Sequence, residues 1–185
     1  MNTIPKFILA SGSPRRAELL RSAGVNFDVV VPQVNETPLS GEAPDTFVCR
    51  IAREKAESLP ANPAVILAAD TAVVDGKQIL GKPVDTEDAK AMLRSLSNRT
   101  HEVMTGVCLR FPTRTVCFHI ETRVTFRKLS EEEICTYVAT GDPMDKAGAY
   151  AIQGGAAKMV RKIEGSYTNV VGLPLCEVIE ELENN

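Results

Sequence analysis

The chain has no tryptophan, only two histidines and 5% aromatic residues. With 21 basic against 24 acidic side chains its net charge is −3. Scarce stacking side chains and an acidic balance argue against a nucleic-acid-binding surface or an anionic membrane as the partner, so any bound anion must be held by a local basic cluster. The five cysteines (Cys49, Cys108, Cys117, Cys135 and Cys176) are an odd set without a C-x-x-C pair. That excludes a disulfide framework or a zinc ribbon and predicts reduced, mostly buried thiols in a cytosolic protein. His101 and His119 lie too far apart for a helical zinc motif, and both are expected to be structural or surface residues. No apolar run approaches the ~20 residues of a membrane span, and Met1 to Ala10 lacks the form of a secretory signal. The glycine patterns of dinucleotide-binding and P-loop proteins and the G-x-S-x-G nucleophile elbow are also missing.

What is present is an ordinary globular composition, 44% hydrophobic and 24% charged, without internal repeat or linker. At 185 residues the length predicts one domain spanning residues 1–185, with room for two lobes. Phe7 to Ala10 reads as a buried strand that stops at Ser11-Gly12. Ser13 as N-cap, Pro14 at N1 and Gly24 as stop then predict a helix over 15–23. Phe27 to Val31 reads as a second strand. A helix capped by Asp45 or Thr46 and running to Leu59 follows, its apolar stripe interrupted by Lys55. Ala64 to Ala69 reads as a central strand with Asp70-Thr71 at its carboxyl end, and 72–80 as a hairpin turning at Asp75-Gly76. A helix over 86–96, strands over 102–110 and 116–127, and a helix opened by the capping box Ser130 to Glu133 come next. Residues 142–157 read as a functional loop or short helix, followed by a strand near 158–163 and a helix over 175–182. The pattern predicts an α/β fold: a mixed, elongated sheet flanked by helices, in two lobes around a central cleft.

Three clusters could carry chemistry. Ser11, Ser13, Arg15 and Arg16 surround the amino end of the first helix, where free N–H groups favour an anion. Two arginines there oppose the helix dipole unless a phosphate lies between them, although an ordinary Ser-Pro cap with solvated arginines fits the same residues. Asp70 closes an apolar strand, where open α/β sheets place ligands, so it is a candidate to hold Mg²⁺ or polarise a water. Glu36, in a polar loop, reads alone as a surface residue. Lys55, Lys82 and Lys146 complete a set of cations sufficient for a polyphosphate, while for each taken singly a snorkelling side chain is the commoner outcome.

Five segments together resemble a known family. Leu9-Ala10-Ser11-Gly12-Ser13-Pro14-Arg15-Arg16, Arg53-Glu54-Lys55-Ala56, Ala69-Asp70-Thr71, Gly81-Lys82-Pro83 and Asp145-Lys146-Ala147-Gly148-Ala149-Tyr150-Ala151-Ile152-Gln153-Gly154 look, in this order, like the Maf nucleoside triphosphate pyrophosphatases. The resemblance implies a fold similar to inosine triphosphate pyrophosphatase and a divalent metal, Mg²⁺ or Mn²⁺. It also implies a homodimer and cleavage of a nucleoside triphosphate to monophosphate and diphosphate. It assigns Asp70 as proton acceptor and Arg15, Thr71 and Gln153 as specificity residues of the branch acting on dTTP and UTP, so the expected partners are pyrimidine nucleoside triphosphates. Joined to the clusters, it predicts Asp70 and Glu36 as metal ligands and Lys55 and Lys82 as catalytic cations. Ser11, Ser13, Arg15, Arg16 and Lys146 are expected to bind phosphate. An alternative is a nucleotide-sensing regulator of cell division that needs no catalysis.

Overall fold

Alternation along short strands decides how the helices are layered. The computed structural model describes residues 7–60 and 64–184. Its elements begin with β1 (Phe7–Ala10), α1 (Pro14–Ser22), β2 (Asp28–Val29), α2 (Pro44–Glu57), β3 (Val65–Asp75), β4 (Gln78–Leu80) and α3 (Thr86–Leu96). They continue with β5 (Thr100–Arg110), β6 (Thr115–Phe126), α4 (Glu131–Ala139), β7 (Val160–Glu164), α5 (Tyr167–Val171) and α6 (Leu175–Glu183). The strands form a mixed sheet in the order β2-β1-β3-β5-β6-β7, with β4 pairing to β3. β1 runs parallel to both β2 and β3, while β4 and β7 run antiparallel to their neighbours.

The chain divides into two compact units. The first is built from the chain up to Asp70, Thr105–Ile120 and the segment from Gly172 onward. Here Phe7, Leu9, Val65, Leu67, Val107 and Leu109 point to one face of the strands and pack with Ala17 and Leu20 of α1 and Val178 of α6. Ile8, Ala10, Ile66, Ala68 and Cys108 point to the other face and pack with Ala52 and Ala56 of α2. A period of two thus buries both faces, each large apolar side chain contributing about 1.5–3 kcal/mol. The second unit, Thr71–Met104 with Glu121–Val171, has its own core, in which Leu93 and Leu96 of α3 and Ile134 and Val138 of α4 pack around Val103, Val124 and Phe126.

Several boundaries differ from expectation for identifiable reasons. β3 does not stop at Ala69: it runs eleven residues through Asp75, because the buried carboxylate of Asp70 is paired rather than turned out to water. The hairpin therefore turns at Gly76-Lys77, with Gly76 at φ 66° in the left-handed region a primed turn needs. β2 is only two residues long, and its side chains are exposed. α2 starts earlier, with Pro44 at its first turn and Ala43 as N-cap. α5 follows β7 where no element was expected. Cys108 and Cys117, on adjacent strands with Cα atoms 4.2 Å apart, are joined as a disulfide, while Cys135 and Cys176 are exposed. The expectation of five reduced, mostly buried thiols is corrected accordingly. The Ser130 capping box and the helix over 86–96 form as expected. No helix among the described residues is long and apolar enough to cross a membrane.

Candidate active site

The strand-to-helix turn after β1 is organised around one hydroxyl. Ser11 is buried, and its Oγ accepts from the Ser13 N–H at 3.2 Å and from Arg16 Nη1 at 3.0 Å, which leaves its own proton to donate. Ser13 occupies the N-cap position of α1, but its side chain makes no capping bond, and the first turn holds no acidic residue. The amino end of α1 is therefore not neutralised by its own N-cap or first turn. Arg16 is buried, and its Nε donates to the carbonyl of Gly172 at 2.7 Å. Desolvation pushes its guanidinium below the usual arginine value, opposed by the charges of Asp70 and Glu36. Arg15 is half-buried and forms no ion pair among the described residues.

Lys55 reaches the same region from α2. A glycine in β5 allows this, since a Cβ on Gly106 would lie 2.2 Å from the carbonyl oxygen of Val48. The helix backbone thus rests directly on the strand. Arg110, at the end of β5, closes the carboxyl end of α2 by donating from Nη1 to the carbonyls of Ala56 and Leu59, both at 2.9 Å. Held this way, α2 turns Lys55 inward, where the residue is only 6% exposed. Its Nζ lies 2.7 Å from Asp70 Oδ1 and 2.7 Å from Glu36 Oε1. Asp70 is 8% exposed, whereas Glu36 lies on the surface loop between β2 and α2.

Two carboxylates from distant parts of the chain therefore converge on one cation. Oxygen ligands at a point already selected for positive charge suit a hard divalent ion, so Asp70 and Glu36 fit such an ion. Among the described residues no group of three or more His, Cys, Asp or Glu side chains could hold a metal. A pair of carboxylates matches an ion such as Mg²⁺, which completes its shell with phosphate and water.

The remaining predicted residues belong to the second unit. Thr71 follows Asp70 within β3 and is half-buried. Lys82 is exposed just after β4, and Lys146 is half-buried and paired with Asp145. Gln153 is exposed at the N-cap of a 3₁₀ turn over Gly154–Met159. The Gly148 N–H donates to the Gly81 carbonyl at 3.0 Å, which joins the segment bearing Lys146 to the one bearing Lys82. Gly148 itself, at φ 65°, packs so closely that a Cβ would meet Val73 at 2.8 Å.

Three residues with clear structural roles here escape sequence reading. Gly106 sits inside an apolar strand pattern, a position that signals close backbone approach, and could have been singled out. Gly172 and Arg110 carry no such signal, because their roles depend on which carbonyl or guanidinium the fold brings opposite them.

Comparison with known proteins gives concordant results. The family model described as Maf-like protein matches residues 6–185. A dTTP/UTP pyrophosphatase of Geobacter sulfurreducens is 56% identical over 181 residues, covering 96% of this chain and 95% of that protein. One from Bacillus cytotoxicus is 49% identical over 180 residues, covering 96% and 94%. Among solved structures, a HAM1 protein from Coxiella burnetii aligns with a TM-score of 0.55 at 14% identity, covering 98% of this chain and 100% of that one. The Ham1 protein of Staphylococcus aureus gives 0.54 at 15%, covering 96% and 99%. These two likenesses concern the fold.

Proposed function

The chain belongs to the Maf-like protein family, and from that membership and the site we infer that it is a nucleoside triphosphate pyrophosphatase acting on dTTP and UTP. The products are the nucleoside monophosphate and inorganic diphosphate. The observation that carries this reading is the convergence of Asp70 and Glu36 on Lys55 Nζ at 2.7 Å, with Arg16 buried in the field of both carboxylates. A buried acid beside fixed cations suits phosphoryl chemistry, in which positioning and charge stabilisation do most of the work.

Asp70 accepts the proton of the water that attacks the α-phosphorus. Lys55 holds Asp70 and Glu36 together against their mutual repulsion. Asp70 and Glu36 would hold a divalent cation such as Mg²⁺ or Mn²⁺, which would supply charge neutralisation and a more acidic water. Ser11, with its free hydroxyl proton, Ser13 and the uncapped N–H groups of α1 donate to phosphate oxygens. Arg15 and Arg16 provide guanidinium forks for the same oxygens, with Arg16 already oriented by Ser11 and Gly172. Lys82 and Lys146 stabilise charge on the diphosphate leaving group. Thr71 and Gln153 read the pyrimidine, for which an amide offers both the donor and the acceptor that an imide edge requires.

The test is to incubate dTTP, UTP, dCTP and dATP with Mg²⁺ or Mn²⁺ and measure diphosphate against orthophosphate. Diphosphate from dTTP and UTP is expected, and orthophosphate as the first product would overturn the reading. Asp70→Asn removes the proton acceptor while keeping its size, and is expected to slow turnover by about 10²–10⁴-fold. Unchanged turnover would remove Asp70 from that role.

A further inference from the structure

The segment carrying Lys146 and Gln153 is irregular backbone under strain. Gly148 and Ala149 both have positive φ, at 65° and 60°, and Ala149 is one of only two non-glycine residues with positive φ among those described. An alanine in that region costs roughly 1–2 kcal/mol, so neighbouring contacts must hold it there. The next residue, Tyr150, is buried in a group of three rings. Its ring centroid lies 4.8 Å from Phe126 and 5.4 Å from His101, and all three pairs meet edge to face. The Tyr150 hydroxyl is hydrogen-bonded to His101 Nε2 at 2.7 Å.

His101 is not used by the chemistry above, and its burial is unusual. It is 2% exposed, and Nδ1 has no hydrogen-bond partner among the described residues. Burial lowers its pKa to about 4, against the nearby charge of Asp75, so the ring is neutral near pH 7. A half-satisfied polar pair is a poor source of stability, since two apolar side chains of the same shape would pack with little or no loss. What the pair adds is direction. One short hydrogen bond fixes the far end of a ring whose backbone lies between strained Ala149 and Gln153.

We propose that His101 is a positioning residue which, through the Tyr150 hydroxyl, holds the segment Asp145 to Gln153 in its strained conformation and thereby sets how well the enzyme discriminates among pyrimidine bases. The proposal rests on the assignment of Gln153 to base recognition. Tyr150→Phe removes a single oxygen and keeps the ring packing. His101→Leu removes the partner, whereas His101→Gln retains a side-chain amide able to reach the hydroxyl.

Two measurements on the intact protein decide the matter. Amide hydrogen exchange over residues 146–153 is expected to quicken by about tenfold in Tyr150→Phe and His101→Leu and to stay near the parent rate in His101→Gln. The ratio of kcat/KM for dTTP to that for dCTP is expected to fall by about tenfold in the first two variants and to recover in the third. Exchange unchanged in Tyr150→Phe would overturn the holding role. Faster exchange with an unchanged ratio would reduce the pair to a structural contact and overturn the specificity role. If the unaltered protein released no diphosphate from dTTP, the pyrophosphatase reading would fail instead, and the exchange rates alone would decide whether His101 holds the segment.

Discussion

Asp70 and Lys55 are presented by an eleven-residue strand and a fourteen-residue helix, whereas Lys146 and Gln153 are presented by short 3₁₀ turns between α4 and β7. In the first case backbone hydrogen bonds and apolar packing over many residues fix where the two side chains stand. In the second, a few specific contacts do so: Gly148 to Gly81, and Tyr150 to His101. Regular elements average out the loss of any one contact. Irregular ones do not, and here they belong to the second unit, whereas the acid and the lysine belong to the first. Under the proposed function, that separation would let the pair assigned to catalysis be kept while the segment assigned to base recognition varies.

The sharpest way to break this contrast is to attack the one point where the rigid half has no tolerance. In Gly106→Ala the new Cβ would lie 2.2 Å from the Val48 carbonyl oxygen, so α2 must lift from β5. The cost is expected at the upper end of the usual overpacking range, about 3 kcal/mol, read as a fall in melting temperature of about 10 °C. Because Lys55 moves with the helix, kcat/KM for dTTP should fall more than about a hundredfold. A variant with normal melting and normal activity would show that close contact of α2 with the sheet is not what places Lys55.

How far this arrangement could be read in advance follows the same division. Strand β1 and helices α1, α3 and α4 are visible in the period of their apolar residues and in caps such as Ser130, because those signals are local. Lys55 was conspicuous as a cation on an apolar stripe, and Asp70 as a carboxylate closing an apolar run. The pairing of the two, fifteen residues apart, was not visible, and for that reason β3 was expected to end at Ala69. The roles of Tyr150 and His101, forty-nine residues apart, were hidden in the same way. Gly106 left a trace in the pattern, whereas Arg110 as the cap of α2 left none. Contacts made by a lone side chain to a distant partner have no period.

A second prediction concerns acid. His101 takes up its proton near pH 4 in the folded protein but near the ordinary 6.5 once unfolded. Between those values the unfolded chain binds more protons, so stability rises with pH through this window and falls on acidification. From pH 8 to pH 5 the loss is expected to be about 2 kcal/mol, measured as a lower urea midpoint. Glu42, held at about 2 by the guanidinium of Arg50, stays ionised in the folded protein throughout that window, so the stability it confers is present there and is lost only at lower pH. His101→Leu should therefore flatten the slope between pH 5 and 8. If the slope persists in that variant, the buried imidazole is not its source.

The smallest effect is expected where the rigid half borrows a device from the irregular half. Gly172, between α5 and α6, has φ 127°, a conformation L side chains rarely adopt, and its carbonyl accepts from Arg16 Nε at 2.7 Å. Leu173 and Val178 anchor the chain after it in the core that buries Leu20 of α1, so the carbonyl is delivered to Arg16 by packing. Gly172→Ala is expected to shift that carbonyl by a few tenths of an ångström and to loosen Arg16, whose contact with Ser11 persists. The result should be a rise in KM for dTTP of up to about tenfold with kcat little changed, since charge near the phosphates is retained and only its placement suffers. If Gly172 acts through Arg16, adding Gly172→Ala to Arg16→Lys should bring almost no further loss, because lysine has no Nε–H to lose. Full additivity in that pair would mean that Gly172 is needed only to turn the chain, and that its carbonyl is not what places the guanidinium.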